Sequence, residues 1–579
     1  MTTVKEWPCE TARLSLATLL LASMTGCATA GGTADVAGYD LVIRNGSIYD
    51  GSGSEPYVGD LAVEGDQIVA IGQVRGEGRE EIDAAGMAVA PGFINMLSWA
   101  NRSLLEDGRG MSDIRQGVTL EVFGEGWTMG PINSSMRQEL QAQMGESGVA
   151  IGWTTLGEYL ENLEEKGISP NVASFVGATT VRIHELGEQD VDPNPDQLAR
   201  MRALVRQAME EGAMGVGSAL IYAPGNYAET RELVALAEEA GRCGGMYISH
   251  MRSEADEIGS AIDEVITIAR EAGLPAEIYH LKLAGKRNWD RLPEIVAKIE
   301  DARRSGIRLT TNMYLYTAGG TGLDAVIPPW VQAGGRDAML ERLQDPATRA
   351  RILQEMRVEE SDWENLLRAA GGDGVLLVNS ENPEFQPLMG KTLAQIAALR
   401  GTSVEETAVD LVLQDGQIGA IYFMMSEENI AKQAALPWMS FGSDASAPAA
   451  EGETLNSAAH PRTYGNFSRL LGKYVREEEA LPLARAIRGL TALPASNLGL
   501  RQRGSLAVGN FADIVIFDPT TISDHATYNA PHQYATGVTE VFINGVQVLS
   551  DGQHTGATPG RVVRGPGWTG WPGGGACAD

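Results

Sequence analysis

From about Pro91 to Leu490 the chain repeats one pattern: a helical stretch followed by a short apolar run. Leu198 to Glu211 has apolar residues at helical spacing and leads into the buried run Gly212–Ser218. Leu233 to Cys243 leads into Met246-Tyr247-Ile248-Ser249-His250, and Ile262 to Ala272 into Ala276-Glu277-Ile278-Tyr279-His280. Helix-then-strand units of this kind make a parallel sheet, and about eight of them close a barrel. The predicted class is therefore α/β, with a (β/α)8 TIM-like barrel over residues 91–490.

The two ends read differently. Tyr39–Arg44, Asp60–Val63 and Gln67–Ile71 are short alternating segments, with the turn signals Asn45-Gly46 and Glu64-Gly65-Asp66 between them. Ala512–Phe517 and Val538–Gly545 supply similar segments near the other end. This predicts a small β-sandwich built from both termini, residues 39–90 and 491–565. Residues 325–390, rich in Arg and Glu, break the alternation and are expected to be an insertion beside the active-site mouth. A Gly-rich tail, 566–579, follows the second β segment. A barrel with such an appendage accounts for the 579 residues.

A formal net charge of −31 argues against nucleic acid or an anionic membrane surface as a partner. Residues 1–27 read as a processing segment. Lys5 and Arg13 precede the apolar run Leu14–Ala22, too short to span a bilayer, and Met24-Thr25-Gly26-Cys27 resembles a lipobox. On that resemblance Cys27 becomes a lipidated N-terminus, residues 28–38 form a linker, and acyl chains tether the protein in the periplasm. Ala28 resembles the outer-membrane sorting pattern. The alternative is a signal peptide cleaved near Ala28-Thr29-Ala30, giving a soluble or secreted protein. Either cleavage removes Cys9 and leaves Cys243 and Cys577 as free thiols or one bridge.

His250 and His280 each end a predicted strand, one βα unit apart, at the face where barrel active sites lie. With seven histidines in the chain, this pair is the strongest candidate for a metal site. Gly117–Gly126 reads as another strand ending at Glu125, and the flanking Gly124 and Gly126 favour a close backbone approach. Glu125, His250 and His280 would give three protein ligands and a fourth, open position, the pattern of a catalytic zinc site. Asp444, in Ser440-Phe441-Gly442-Ser443-Asp444, ends a late strand and is the candidate general base; a helix N-cap is its simpler role.

Together these stretches resemble the N-acyl-D-amino-acid deacylase (D-aminoacylase) family of the amidohydrolase superfamily, from about Tyr39 to Gly565. Leu220–Gly225, Ser249-His250-Met251-Arg252, Tyr279-His280-Leu281-Lys282, Gly442-Ser443-Asp444, His460–Gly465 and Asp551–Gly556 carry the match. The resemblance implies a zinc-dependent hydrolase of linear amides. Its substrate would be a small N-acyl amino acid or peptide-like molecule. It places His250 and His280 on the tight zinc, Glu125 where the family often has cysteine, and Asp444 as the catalytic aspartate. It also implies that Tyr222 hydrogen-bonds the scissile carbonyl, and that Lys282 and Tyr314 lie near the substrate carboxylate. One departure stands out. Ala90-Pro91-Gly92-Phe93-Ile94-Asn95 resembles the first amidohydrolase strand, which usually continues into a metal-binding His-x-His. Here Leu97 and Trp99 take those places, and neither offers a lone pair. One zinc per chain is expected, with Trp99 as an apolar wall for substrate. The alternatives are a cyclic-amide hydrolase of the dihydroorotase or hydantoinase kind, and a non-catalytic ligand-binding lipoprotein.

Overall fold

A computed structural model of the protein describes residues 38–579, apart from 146–147, 359–362, 381, 416, 457 and 578–579. Residues 1–27, expected to be a processing segment, and Cys27 within them lie outside the described residues.

Five strands open the fold: β1 (Tyr39–Ile48), β2 (Tyr57–Glu64), β3 (Gln67–Gly72), β4 (Gly78–Asp83) and β5 (Ala88–Pro91). Asn45-Gly46 is not a turn. It is a bulge inside β1, where the register against β2 shifts and Asn45 takes φ 58°. The Asn45 amide nitrogen donates to Asp83 and its backbone N–H to Asp60, which satisfies the bulge locally.

Eight parallel strand positions then form a closed ring. They are β6 (Phe93–Asn95), β7 (Val118–Phe123), the run β8 (Asn171–Ser174) and β9 (Val176–Gly177) broken only at Phe175, β10 (Gly215–Ala219), β11 (Met246–His250), β12 (Ala276–Ile278), β13 (Leu309–Met313) and a later strand, Met439–Phe441. The Met96 N–H donates to Phe441 O at 3.1 Å, and Ser98 pairs in parallel with Ala445, so the last strand closes on the first. The helices between strands bury one stripe each. In Ile258–Ala272 that stripe is Ile258, Ala261, Ile262, Val265, Ile266, Ile268 and Ala269, the 3.6-residue spacing of an amphipathic helix against a sheet.

Between β13 and the closing strand the chain makes an excursion wider than residues 325–390. It opens with β14 (Ala318–Gly322), and β15 (Val375–Asn379) and β16 (Gly419–Phe423) complete a separate antiparallel sheet. Ala-Gly-Gly-Thr-Gly carries almost no side chain to display a period, which is why its start is silent in the sequence. The closing barrel strand is β17 (Met439–Phe441). The chain then returns to the first sheet through β18 (Ile514–Phe517), β19 (Val538–Ile543), β20 (Val546–Ser550) and β21 (Gln553–His554). The order β21-β20-β19-β18-β5-β1-β2-β3, with β4 on β1, makes one nine-stranded sheet from both ends of the chain. Residues 566–577 fold back on the barrel, and Cys577 is disulfide-bonded to Cys243 at the C-cap of the helix Thr230–Arg242.

Candidate active site

The C-terminal ends of the barrel strands open into a cavity of about 510 Å³. Glu125, His250, His280, Tyr222, Lys282, Tyr314, Trp99 and Asp444, all singled out in the sequence, line it together. Leu97 does not. It is buried among Ile94, Met96, Leu120 and Val122 in the barrel interior.

Only His250 sits within its strand. Glu125 lies in the turn after β7, between Gly124 at φ +113° and Gly126 at φ +73°. A Cβ on Gly124 would stand 2.7 Å from Phe175 O, and one on Gly126 2.7 Å from the Ala219 Cβ, so no larger residue fits either flank. His280 and Asp444 lie past the ends of β12 and β17 with φ of 33° and 50°. Left-handed backbone at non-glycine residues is costly and persists where the surroundings over-determine it. Here the His280 N–H donates to Asn312 Oδ1 and the Asp444 N–H to Leu97 O, both at 2.8 Å.

Three lone-pair donors converge. Glu125 Oε1 is 2.9 Å from His250 Nδ1 and 2.6 Å from His280 Nε2, and all three residues are buried. Their ligand atoms lie within 4.8 Å of one another. Two imidazoles and one carboxylate suit zinc. Desolvation acts to raise the Glu125 carboxyl, but the charges and hydrogen bonds of His280 and His250 outweigh it and hold it well below the usual range.

Glu254, which the sequence reading passed over, completes the arrangement behind His280. Its Oε1 lies 2.9 Å from His280 Nδ1 and accepts from Lys282 Nζ at 2.6 Å. With His280 Nε2 turned to the metal position, Nδ1 faces Glu254 Oε1 and, at 2.7 Å, Lys282 Nζ; a proton on Nδ1 would be donated to Glu254, the carboxylate–histidine–metal pattern. Desolvation and Lys282 act to lower the His280 pKa. Glu254 and Glu125 oppose them, and the group is pushed up to about 9.

Arg462 is the second residue missed. Its Nη1 is 2.8 Å from Asp444 Oδ2, and its guanidinium lies 4.5 Å over the Tyr314 ring. Lys282 Nζ stands 5.5 Å from the centre of the same ring. Burial raises the Asp444 carboxyl against the opposing charge of Arg462. Tyr222 packs 5.2 Å from the His250 ring and hydrogen-bonds Thr321, and desolvation, with Glu125, pushes its phenol up so that it remains a donor. Trp99 is more than a wall: its indole N–H points at Glu125 Oε2 (2.9 Å) and Asp444 Oδ1 (3.2 Å).

Residues 80–549 match the amidohydrolase family. D-aminoacylase from Alcaligenes xylosoxydans xylosoxydans is 31% identical over 528 residues, 91% of this chain and 97% of the relative. A D-aminoacylase structure, solved to define the role of a binuclear centre with one-metal activation and second-metal attenuation, superposes with TM-score 0.76 at 30% identity. It covers 91% of this chain and 100% of that one. N-acyl-D-glutamate deacylase from Bordetella bronchiseptica, complexed with zinc and a phosphonate mimic of the tetrahedral intermediate, gives 0.75 at 29% identity with the same coverage. The chain belongs to the amidohydrolase family and stands among its D-aminoacylases.

Proposed function

We propose that this protein is a zinc hydrolase that removes the acyl group from small N-acyl amino acids, of D configuration as the names of its relatives suggest. The observation that carries the reading is the meeting of Glu125, His250 and His280 with Asp444 in a cavity that also holds two cations, Lys282 and Arg462. One zinc held by the triad would polarise the scissile carbonyl and acidify water there. The histidine pair that would hold a second ion is replaced by Leu97 and Trp99.

The chain's own residues supply the rest. Asp444 takes a proton from the attacking water and delivers it to the nitrogen as the C–N bond breaks, giving a carboxylic acid and a free amino acid. The Tyr222 hydroxyl donates to the oxygen on which negative charge develops. Lys282, Arg462 and Tyr314 form one contiguous surface that suits the substrate carboxylate. Among the described residues lining the cavity, the ionisable groups that remain are the carboxylate Asp324 and the phenol Tyr422, neither of them a cation. A second substrate carboxylate would find no cation of its own, so the preferred amino-acid side chain is neutral. No lysine stands at Glu125 to be carboxylated, which disfavours the cyclic-amide chemistry. The test is purified zinc-loaded protein against N-acetyl-D-leucine, N-acetyl-D-glutamate and N-acetyl-L-leucine. Turnover of the first well above the others is expected; none on any of the three refutes the reading.

We place the protein in the periplasm, tethered through Cys27. The lipobox-like Met24–Cys27 supports this, and the Cys243–Cys577 disulfide suits an oxidising compartment. Cys27→Ala should abolish incorporation of labelled palmitate and release the protein from membranes; unchanged labelling would refute the tether.

A further inference from the structure

The indole of Trp99 stands between two carboxylates that would otherwise face each other with like charge. Its Nε1–H lies 2.9 Å from Glu125 Oε2 and 3.2 Å from Asp444 Oδ1. We propose that this N–H takes the place of a second metal ion. It bridges the zinc ligand and the general base, fixes both, and bars another cation from the site. The inference rests on the zinc reading above.

Each carboxylate oxygen then has a fixed neighbour. Glu125 Oε1 faces the two imidazoles and Oε2 accepts the indole proton. Asp444 Oδ1 accepts the same proton and Oδ2 pairs with Arg462. A cation between the carboxylates would satisfy the same two oxygens. Indole nitrogen is a donor without an available lone pair, so it can imitate that cation but never bind one. The ring also occupies the space.

The position of Trp99 is set by the barrel seam. Its backbone N–H donates to Ala445 O at 2.9 Å, Ser98 pairs with Ala445, and the Asp444 N–H donates to Leu97 O at 2.8 Å. The residue therefore enters from the line where the first strand meets the last, beside both carboxylates. Leu97, two residues earlier, has no part in the bridge because it lies in the apolar barrel interior. Trp99 is thus a positioning residue. In the D-aminoacylase described with a binuclear centre the second metal attenuates; a chain that fills that place with an N–H would be immune to excess zinc.

The experiment is equilibrium dialysis of zinc against the full chain, wild type, Trp99→His and Trp99→Phe, with far-UV circular dichroism to verify folding. The wild type should bind one zinc and no second up to millimolar concentration. Trp99→His removes the bulk of the indole, restores a lone pair beside Glu125 and Asp444, and should bind a second. Trp99→Phe keeps an aromatic ring but leaves Glu125 Oε2 without its donor, and its single zinc should bind about 10-fold more weakly, the lower range for a lost outer partner of a metal ligand. A second zinc on the wild type, one zinc on Trp99→His, or unchanged affinity in folded Trp99→Phe would each overturn the inference. A wild type that binds none would overturn it together with the zinc reading, whereas two zincs would leave that reading standing.

Discussion

Glu254 touches no metal position, yet it should control how tightly the metal is held. In Glu254→Gln the shape survives and the charge does not. The two contacts at Oε1, from His280 Nδ1 at 2.9 Å and Lys282 Nζ at 2.6 Å, become bonds to a neutral carbonyl. Charge-assisted hydrogen bonds are roughly twice as strong as neutral ones, and losing an outer partner of a ligand histidine costs about 10–100-fold in metal affinity, or about 1.4–2.7 kcal/mol. A second effect opposes the first. In the zinc-free protein the His280 pKa is pushed up to about 9 despite desolvation and Lys282, because Glu254 and Glu125 hold its proton. Below that pH zinc must displace the proton. Removing Glu254 weakens the proton's hold too, so part of the loss is returned at low pH. Zinc affinity measured by competition with a chromophoric chelator should therefore fall at least 10-fold at pH 9, and by less at pH 6.5. Equal affinity of variant and wild type at pH 9 would refute the reasoning and leave Glu254 as a counter-ion for Lys282 alone.

Asp444→Asn should lower kcat by at least the roughly 10²–10⁴-fold of lost general acid–base catalysis, with zinc content unchanged by elemental analysis; loss of metal alongside activity would make it a ligand. Chelator dialysis should abolish turnover, and one equivalent of zinc should restore it; a requirement for two would contradict the single site. Tyr222→Phe should cost kcat about 10²–10³-fold if its hydroxyl meets the developing oxyanion, while a change confined to KM would reduce it to a binding residue. Glu364 is buried against Ser253 and the Glu254 backbone, and desolvation, then Glu254, pushes its carboxyl up to about 7. The folded state then holds the proton more tightly than the unfolded chain, so stability falls as pH rises from about 4.5 to 7 and stays low above that. Glu364→Gln, always neutral, should exceed the wild type by up to about 3 kcal/mol in denaturant melts at pH 8 and match it near pH 4. Equal stability of the two at pH 8 would show that the buried carboxyl is not ionising at a cost.

What was legible in the sequence is what periodicity and strand ends can carry. Three helix–strand pairs announce a parallel sheet, and His250 and His280 one unit apart announce a site on its axis. Glu125 was found through its flanking glycines, whose close backbone contacts are real even though the strand stops before it. Glu254 was silent because it lies four residues past a strand end, in a loop where acidic residues are usually solvated. Arg462 was silent because its partner, Asp444, belongs to another element, and an arginine at a helix start looks like surface. The bond between Cys243 and Cys577 lay open for the same reason. Pairing between separate elements is decided by the tertiary fold, which no local pattern records.

The return of the chain to its first sheet has a bearing on how the protein is made. β5 pairs with β18, joining Pro91 to Ile514, and the barrel begins immediately after β5. A chain emerging from synthesis carries an unpaired β5 edge until Ile514–Phe517 arrive, more than 400 residues later. Its first sheet can be completed only late, and contacts this distant in sequence make folding slow and expose strand edges to aggregation. Fragments cut before β18 should for that reason be sticky and short-lived, however intact their barrel residues, and any attempt to express the catalytic barrel alone would have to bring both flanks of the sheet with it.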